Sequence, residues 1–512
     1  MATATTGELQ ADATNEIHLS TELLVIVFSH LQFRDLGNCC LVSIRLKEII
    51  KNTPELQYYL ETQAAAYSRH PLLQDRTKSI VDKFEDFRKV QRNWRDPRPE
   101  KVLHWISPTP SAFCDAFGGV VIGSSFDVTD LFIVHSDPGP RFEQLSMNRR
   151  VLPRGVDVSQ DLLAVVAMDE TLGFRQLEFL SLKTGRRHHR AQRRAIDETH
   201  LGYAAVENCV MDVFARMSIS GDWLIFEVGH TCDELNIYLC HWPTGEIRAR
   251  WTSDREVWYQ HAYLTTSHLF ISHVVLPRQP HIDVYALSAF PAPTRTDTPV
   301  ARFALPELDA DAKADSVRYF TFSARPDHSL CESPHAPETA LLCLTVRHSG
   351  GAMLFVPLST FTSVQPSVDV PEVHPWVSWG PQRTRVCEGA DLLALSGMRA
   401  VLSDRIFDFN PWDAATNAYM PVRLDSNAES ECNTSREARG RVLHCGPSIA
   451  SKDAGLCGEV VTGLAYREVL VKFDEEVDLQ DGWVHIQHDE DGPKLVHSGL
   501  RDNALVLVFY KL

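Results

Sequence analysis

The densest concentration of chemistry-bearing side chains is the basic run Lys183 to Arg194, KTGRRHHRAQRR, set in a chain with 50 Lys and Arg against 67 Asp and Glu. Its Arg186, Arg187, Arg190, Arg193 and Arg194 offer planar guanidinium forks that suit an acidic or phosphorylated segment of a protein substrate. The same run also reads as a nuclear-import signal, or as a solvated loop between repeats. Cys232 and the Cys240-His241 pair lie too far apart, with no second pair, for a zinc site, and read as buried strand residues. Asp489-Glu490-Asp491-Gly492 lacks the alternating ligands and the closing Glu of a calcium loop. Asp161, Asp222 and Asp391 stand at strand starts, where they would serve as channel carboxylates of a glycosidase or lyase, or simply as turn acids. No nucleophile elbow, Walker-type loop, dinucleotide fingerprint or His-Glu-x-x-His occurs. No catalytic residue, cofactor or metal is therefore expected.

The elements come in two grammars. From Leu19 to Leu60 the spacing is helical. Ser20 can cap a helix, and Glu22 suits its first turn, where the dipole favours an acid. Leu23, Leu24, Val27, Phe28 and Leu31 then share one face. A second start at Asp35 leads through Leu36, Cys39, Cys40 and Val42 to Ile44, Leu46, Ile49 and Ile50. Pro54 opens a further helix over Glu55 to Tyr67, and another is expected from Arg76 to Arg95. Some fifty residues cannot bury all this apolar surface alone, so part of it is expected to await a partner.

These residues resemble an F-box at Leu19, Glu22, Leu23, Leu24, Val27, Phe28, Leu31, Asp35, Leu36, Cys39, Val42, Ser43 and Arg45. Ser20 stands where that family usually has proline, and Leu46 where it usually has tryptophan, so weaker or altered docking is expected. Pro54 to Glu61, the following helix and Ile406-Phe407-Asp408-Phe409-Asn410-Pro411 resemble large F-box proteins of mushroom-forming fungi. The resemblance implies docking on a Skp-type linker, and through it a cullin, by Leu19, Ser20, Leu23, Leu24, Val27, Phe28, Leu31, Leu36, Cys39, Val42 and Leu46.

After Trp105 the grammar changes to short β-branched and aromatic runs. Strand pairs recur at Gly118 to Phe126 with Asp130 to His135, Asp161 to Met168 with Leu177 to Leu182, Gly221 to Val228 with Leu235 to Trp242, and His268 to Leu276 with Ile282 to Leu287. They continue at Leu341 to His348 with Ala352 to Leu358, Asp391 to Ser396 with Arg405 to Phe409, and Val469 to Phe473 and Trp483 to His488 with Ala504 to Tyr510. Two pairs end on Thr184-Gly185 and Thr244-Gly245, tight turns of the kind that close propeller blades. With no amphipathic helices between them, these pairs predict a degenerate six- or seven-bladed β-propeller, with a pair of β-sandwiches as the alternative. The strand Ala504 to Leu512 is expected to close the ring by completing the first blade. Pro291 to Thr298, Glu307 to Ser316 and Asp425 to Gly440 read as projecting inserts.

The expected fold class is α+β: a disordered tail at 1–15, an F-box-type helical head at 16–62, a helical neck at 63–100, and an all-β substrate-binding domain at 101–512. The net charge of −17 argues against a nucleic-acid or membrane-surface partner, and no secretory start or membrane-length apolar run is present. Twelve scattered cysteines read as reduced core residues of a cytoplasmic or nuclear protein. The expected function is that of a substrate receptor of a Skp/cullin/F-box ubiquitin ligase, non-catalytic in itself, with an unidentified protein substrate. The alternative is an interaction scaffold acting outside a ligase.

Overall fold

The computed structural model describes residues 19–64, 77–95 and, between 97 and 511, the strands with most of their turns. The longer stretches outside the description are 1–18, 65–76, 198–215, 291–297, 308–318, 323–339, 364–370, 410–440, 451–459 and 472–479. The expected tail, the expected helical residues 65–67 and 76, and nearly all of the three expected inserts lie outside the described residues.

Four short helices build the head: α1 (Thr21–Ser29), α2 (Phe33–Val42), α3 (Ile44–Asn52) and α4 (Pro54–Ala64). Ser20 caps α1, its hydroxyl accepting from the Leu23 N–H at 3.4 Å. The second helix starts at Phe33, two residues before the expected Asp35, which falls in its first turn. Phe28, Leu36, Ile49, Ile50 and Leu56 form the head's core.

The neck helix α5 (Ile80–Arg95) opens at Ser79, whose hydroxyl accepts from the Asp82 N–H while Asp82 accepts from the Ser79 N–H. This reciprocal cap satisfies donors that a helix start otherwise leaves orphaned. Tyr58 of α4 meets Phe84 and Phe87 edge-on, and Arg88 pairs with Glu61 at 2.8 Å, joining neck to head.

Among the described residues seven sheets of four or five strands follow around a ring, each called a blade here, and Ser448–Ala450 pairs with Val460–Thr462 in a separate two-stranded sheet. Blade one holds Phe113–Phe117, Val120–Ser124, Asp130–His135 and Arg141–Ser146. Blade two holds Val151–Asp157, Leu162–Met168, Phe174–Ser181 and Ala195–Asp197, and blade three Arg216–Ser220, Trp223–His230, Glu234–His241 and Glu246–Thr252. Blade four holds Val257–Leu264, His268–Val275, His281–Ala286 and Ala301–Ala304, with Glu372–His374 added in parallel at its edge. Blade five holds Tyr319–Phe322, Leu341–Arg347, Met353–Pro357 and Arg385–Cys387. Blade six holds Leu392–Ser396, Arg399–Leu402, Arg405–Asp408 and Tyr466–Leu470, with Arg441–His444 outermost. Blade seven holds Gln480–Asp489, Gly492–Arg501, Ala504–Lys511 and, as its fourth strand, Glu100–Pro110.

First strands of neighbouring blades lie side by side from blade one through blade five, between six and seven, and from seven back to one. The β domain is a seven-bladed propeller, not a sandwich pair. Leu162–Met168, LLAVVAM, shows why the sequence fits: its alternate residues Leu162, Ala164 and Val166 pack toward blade three, while Leu163, Val165 and Ala167 pack toward blade one. A continuous apolar run is what a strand covered on both faces requires.

Two sequence expectations are corrected. The ring closes because the first strand, Glu100–Pro110, joins the last blade by pairing with Ala504–Lys511, rather than the last strand joining the first blade. Tyr466–Leu470 pairs with Arg405–Asp408, so Val469 belongs to blade six rather than to the last blade expected from the sequence. The two Thr-Gly turns are as expected: Gly185 and Gly245 sit at φ of 64° and 68°, a conformation costly for any residue with a Cβ.

Candidate docking site on the helical head

The helical face expected to dock splits in two. Leu24, Phe28 and Leu31, spaced i, i+4, i+7, turn inward, with Phe28 3 % exposed and the other two packed against the head's core. Leu23 and Val27, also four apart, turn outward at 50 % and 47 % exposed, with Ile26 beside them and Leu19 before the cap. Arg45 of α3 donates to the Leu19 carbonyl at 2.8 Å, fixing how the chain enters α1. The Glu22 carboxyl is held below its ordinary range by a backbone N–H at the helix start and then by the Ser20 hydroxyl.

A second exposed apolar group sits where α2 meets α3, at Leu41, Val42 and Ile44. Ser43 between them is extended, which ends one helix and starts the next. Phe28 and Leu36, both expected to dock, are buried in the head's own core. Leu24, Leu31, Cys39 and Leu46 are half-buried against that core. Ile26, Leu41 and Ile44 were not among the residues expected to dock, although the helical phase of Ile26 opposite Phe28 and of Leu41 away from Leu36 was available as a signal.

The basic run lies on blade two and its junction with blade three. Arg187 is exposed, and its guanidinium donates to the Ala191 and Gln192 carbonyls. Arg190, also exposed, pairs with Asp222 at 2.5 Å, donates to Gln160 at 2.6 Å and lies 5.1 Å from the Trp242 ring centre. Arg193 is exposed and crosses the Cα of Gly245, while Arg186 is exposed at the Thr-Gly turn. Arg194 lies outside the described residues. The run is thus in part a clasp between blades.

Asp161 accepts from Ser181 Oγ at 2.7 Å and from the Lys183 N–H at 2.9 Å, so it serves a turn, while the Asp222 carboxylate holds Arg190. Asp391 and Cys232 lie outside the described residues. Cys240 is fully buried, and burial pushes its thiol up. His241 Nδ1 sits 3.0 Å from Thr244 Oγ1. Among the described residues no helix is long and apolar enough to cross a membrane, a statement about helices alone.

The F-box domain family matches residues 17–58. No curated protein matches the chain. Among solved structures, the β-propeller domain of Cps50 (Swd1) from Myceliophteria thermophila is similar at 8 % identity and a TM-score of 0.40, over 81 % of this chain and 99 % of that one. The WD40 domain of Toxoplasma gondii coronin is similar at 7 % identity and a TM-score of 0.34, over 81 % and 87 %. The WD40 propeller domain of Doa1 is similar at 10 % identity and a TM-score of 0.33, over 80 % and 96 %.

Proposed function

We propose that the chain is the substrate receptor of a Skp/cullin/F-box ubiquitin ligase, docking a Skp-type linker through the F-box domain and presenting a protein substrate on the propeller. The observation that carries this is the division of the head's apolar residues. One set builds a core, and a second set, Leu19, Leu23, Ile26, Val27, Leu41, Val42 and Ile44, stands in solvent where a partner would cover it. Ser20 acts as a cap and Leu46 packs inward, so both departures from the family pattern are absorbed by the head's own fold.

In this role the chain forms and breaks no bond. It raises the effective concentration of a substrate lysine near a charged conjugating enzyme, and does so best if head and propeller keep a fixed geometry. The neck supports that requirement: Phe87, Val90 and Trp94 are buried against blades six and seven. Residues 16–62 are the proposed linker-binding unit, 63–100 the neck and 101–512 the substrate-binding unit, working in the cytoplasm or nucleus. Of the basic run, Arg186, Arg187, Arg190, Arg193 and Arg194 are the proposed substrate contacts, with Arg186 and Arg193 exposed and Arg187 and Arg190 exposed beside their intrachain partners.

The test is reconstitution with a Skp-type linker and a cullin. A complex of all three proteins is the expected result. Linker binding without cullin recruitment would leave a scaffold acting outside a ligase, and no linker binding would refute both.

A further inference from the structure

In blade four, three side chains from adjacent strands meet on one face near the hairpin that joins them. His273 and His281 are directly paired across the second and third strands, and Asp283 lies two residues beyond His281. Their ligand-capable atoms all lie within 4.8 Å of one another. The two imidazole rings stack with centroids 5.0 Å apart and planes 10° from parallel.

The polar bonding of this group is incomplete in one place. His273 Nε2 is 3.3 Å from Asp283 Oδ2, yet its angle makes no hydrogen bond there, and this buried nitrogen has no other hydrogen-bond partner. A buried ring nitrogen without a hydrogen bond costs roughly 1–3 kcal/mol unless something else engages it. His281 Nε2 is 3.8 Å from Asp283 Oδ1. Tetrahedral zinc with bonds of about 2.0–2.1 Å separates its ligand atoms by about 3.3 Å. One pair already stands at that separation, and the others need a modest side-chain rotation.

We propose that His273, His281 and Asp283 form a binding site for a zinc-like divalent cation, with a fourth position left for water or for a ligand donated by a partner. Two imidazoles with one carboxylate favour a borderline cation over magnesium or calcium, which take oxygen ligands. Arg302 of the fourth strand holds the carboxylate from the other side, Nε to Oδ1 at 2.7 Å and a terminal nitrogen to Oδ2 at 3.0 Å. Each carboxylate oxygen has a second lone pair, so this fork orients Asp283 as a neighbour of the metal ligands commonly does, while its charge weakens cation binding. The site is independent of the linker-docking role of the head.

The experiment uses the full-length chain stripped with a chelator, then titrated with Zn²⁺ against a competing chromophoric chelator and with Co²⁺ read by its visible absorption. The chain has 22 histidines, so the comparison is with His273→Gln and His281→Gln, each checked for an unchanged circular dichroism spectrum. The expected result is one equivalent bound by the wild type with a tetrahedral Co²⁺ spectrum, lost in both variants. Arg302→Gln should retain the site and tighten it about tenfold, because a nearby like charge is removed. A wild type that binds no more Zn²⁺ than the two histidine variants would overturn the proposal, as would an Arg302→Gln chain with no site at all.

Discussion

The Arg399 guanidinium, on the second strand of blade six, lies 4.9 Å from the ring centre of Trp94, in the last turn of the neck helix. The same group donates to Gln91 Oε1 at 3.2 Å and pairs with Asp408 at 3.1 Å, all within a dry layer where Arg399 is 2 % exposed. Three kinds of contact, aromatic, hydrogen-bonded and ionic, thus converge on one side chain from two parts of the chain. The neck is fixed to the propeller by a buried charge inside an apolar layer.

Removing that charge should be costly. Arg399→Ala takes an ionic partner from buried Asp408 and the donor from Gln91, and is expected to lower unfolding free energy by about 3–5 kcal/mol. Arg141→Ala, which removes an exposed arginine from its pair with half-buried Glu143, should cost less than about 1 kcal/mol. Chemical unfolding of the two variants beside the wild type measures the difference.

The head should separate stability from docking. Phe28→Ala empties a core position and is expected to destabilise the head by about 3–5 kcal/mol, whereas Leu23→Ala, half in solvent, should fall within about 0.5 kcal/mol of the wild type. Hydrogen exchange over residues 21–64 reads both.

High pH should loosen the contact of blades five and six. Burial pushes the Cys387 thiol up to about 12 from 9.0, and the Tyr466 hydroxyl up to about 12 from 10.0. Both folded values lie above the unfolded ones, so folding favours the protonated forms. Their contribution is full below about pH 9 and is lost as pH rises toward 12, because only the unfolded chain releases these protons easily. The melting temperature should fall from about pH 9 upward, and Tyr466→Phe should remove the part that begins near pH 10.

Ring closure should depend on the first strand. At a sheet edge, alternate residues of Glu100–Pro110 donate to Ala504–Lys511, so the pair Trp105→Pro and Ile106→Pro must remove at least one ladder bond. The double variant should open blade seven, lower the melting temperature and expose a strand edge that promotes association. An unchanged melting temperature and a monodisperse elution profile would contradict this mode of closure.

Much of this architecture was legible in the sequence, for identifiable reasons. Runs such as Leu162–Met168 and the Thr184-Gly185 and Thr244-Gly245 turns carry the blade pattern locally, and Ser20 announces a helix start by its hydroxyl. What was not legible depends on distant pairing. Nothing near Glu100 says that its partner is Lys511, and Tyr466 reaches blade six across a long insert that separates it from Arg405. Within the head, helical spacing identified Leu23 to Leu31 as apolar, yet which of them face the core was settled only by where α3 and α4 pack. The His273, His281 and Asp283 group had no motif to announce it, since cross-strand register brings together residues eight and ten positions apart. The intrachain bonds of Arg187 and Arg190 were not legible because their carbonyl and carboxylate partners lie in turns and in the next blade.

The most direct test of the central claim is a titration of a purified Skp-type linker into the wild type and into the double variant Leu23→Asp, Val27→Asp, both positions being exposed in the free chain. Two carboxylates forced into an apolar interface lose hydration without gaining partners. The predicted result is a specific complex with the wild type and affinity weakened more than about a hundredfold in a variant that melts like the wild type. Equal binding by the two folded proteins, or no binding by either, would contradict docking through this face.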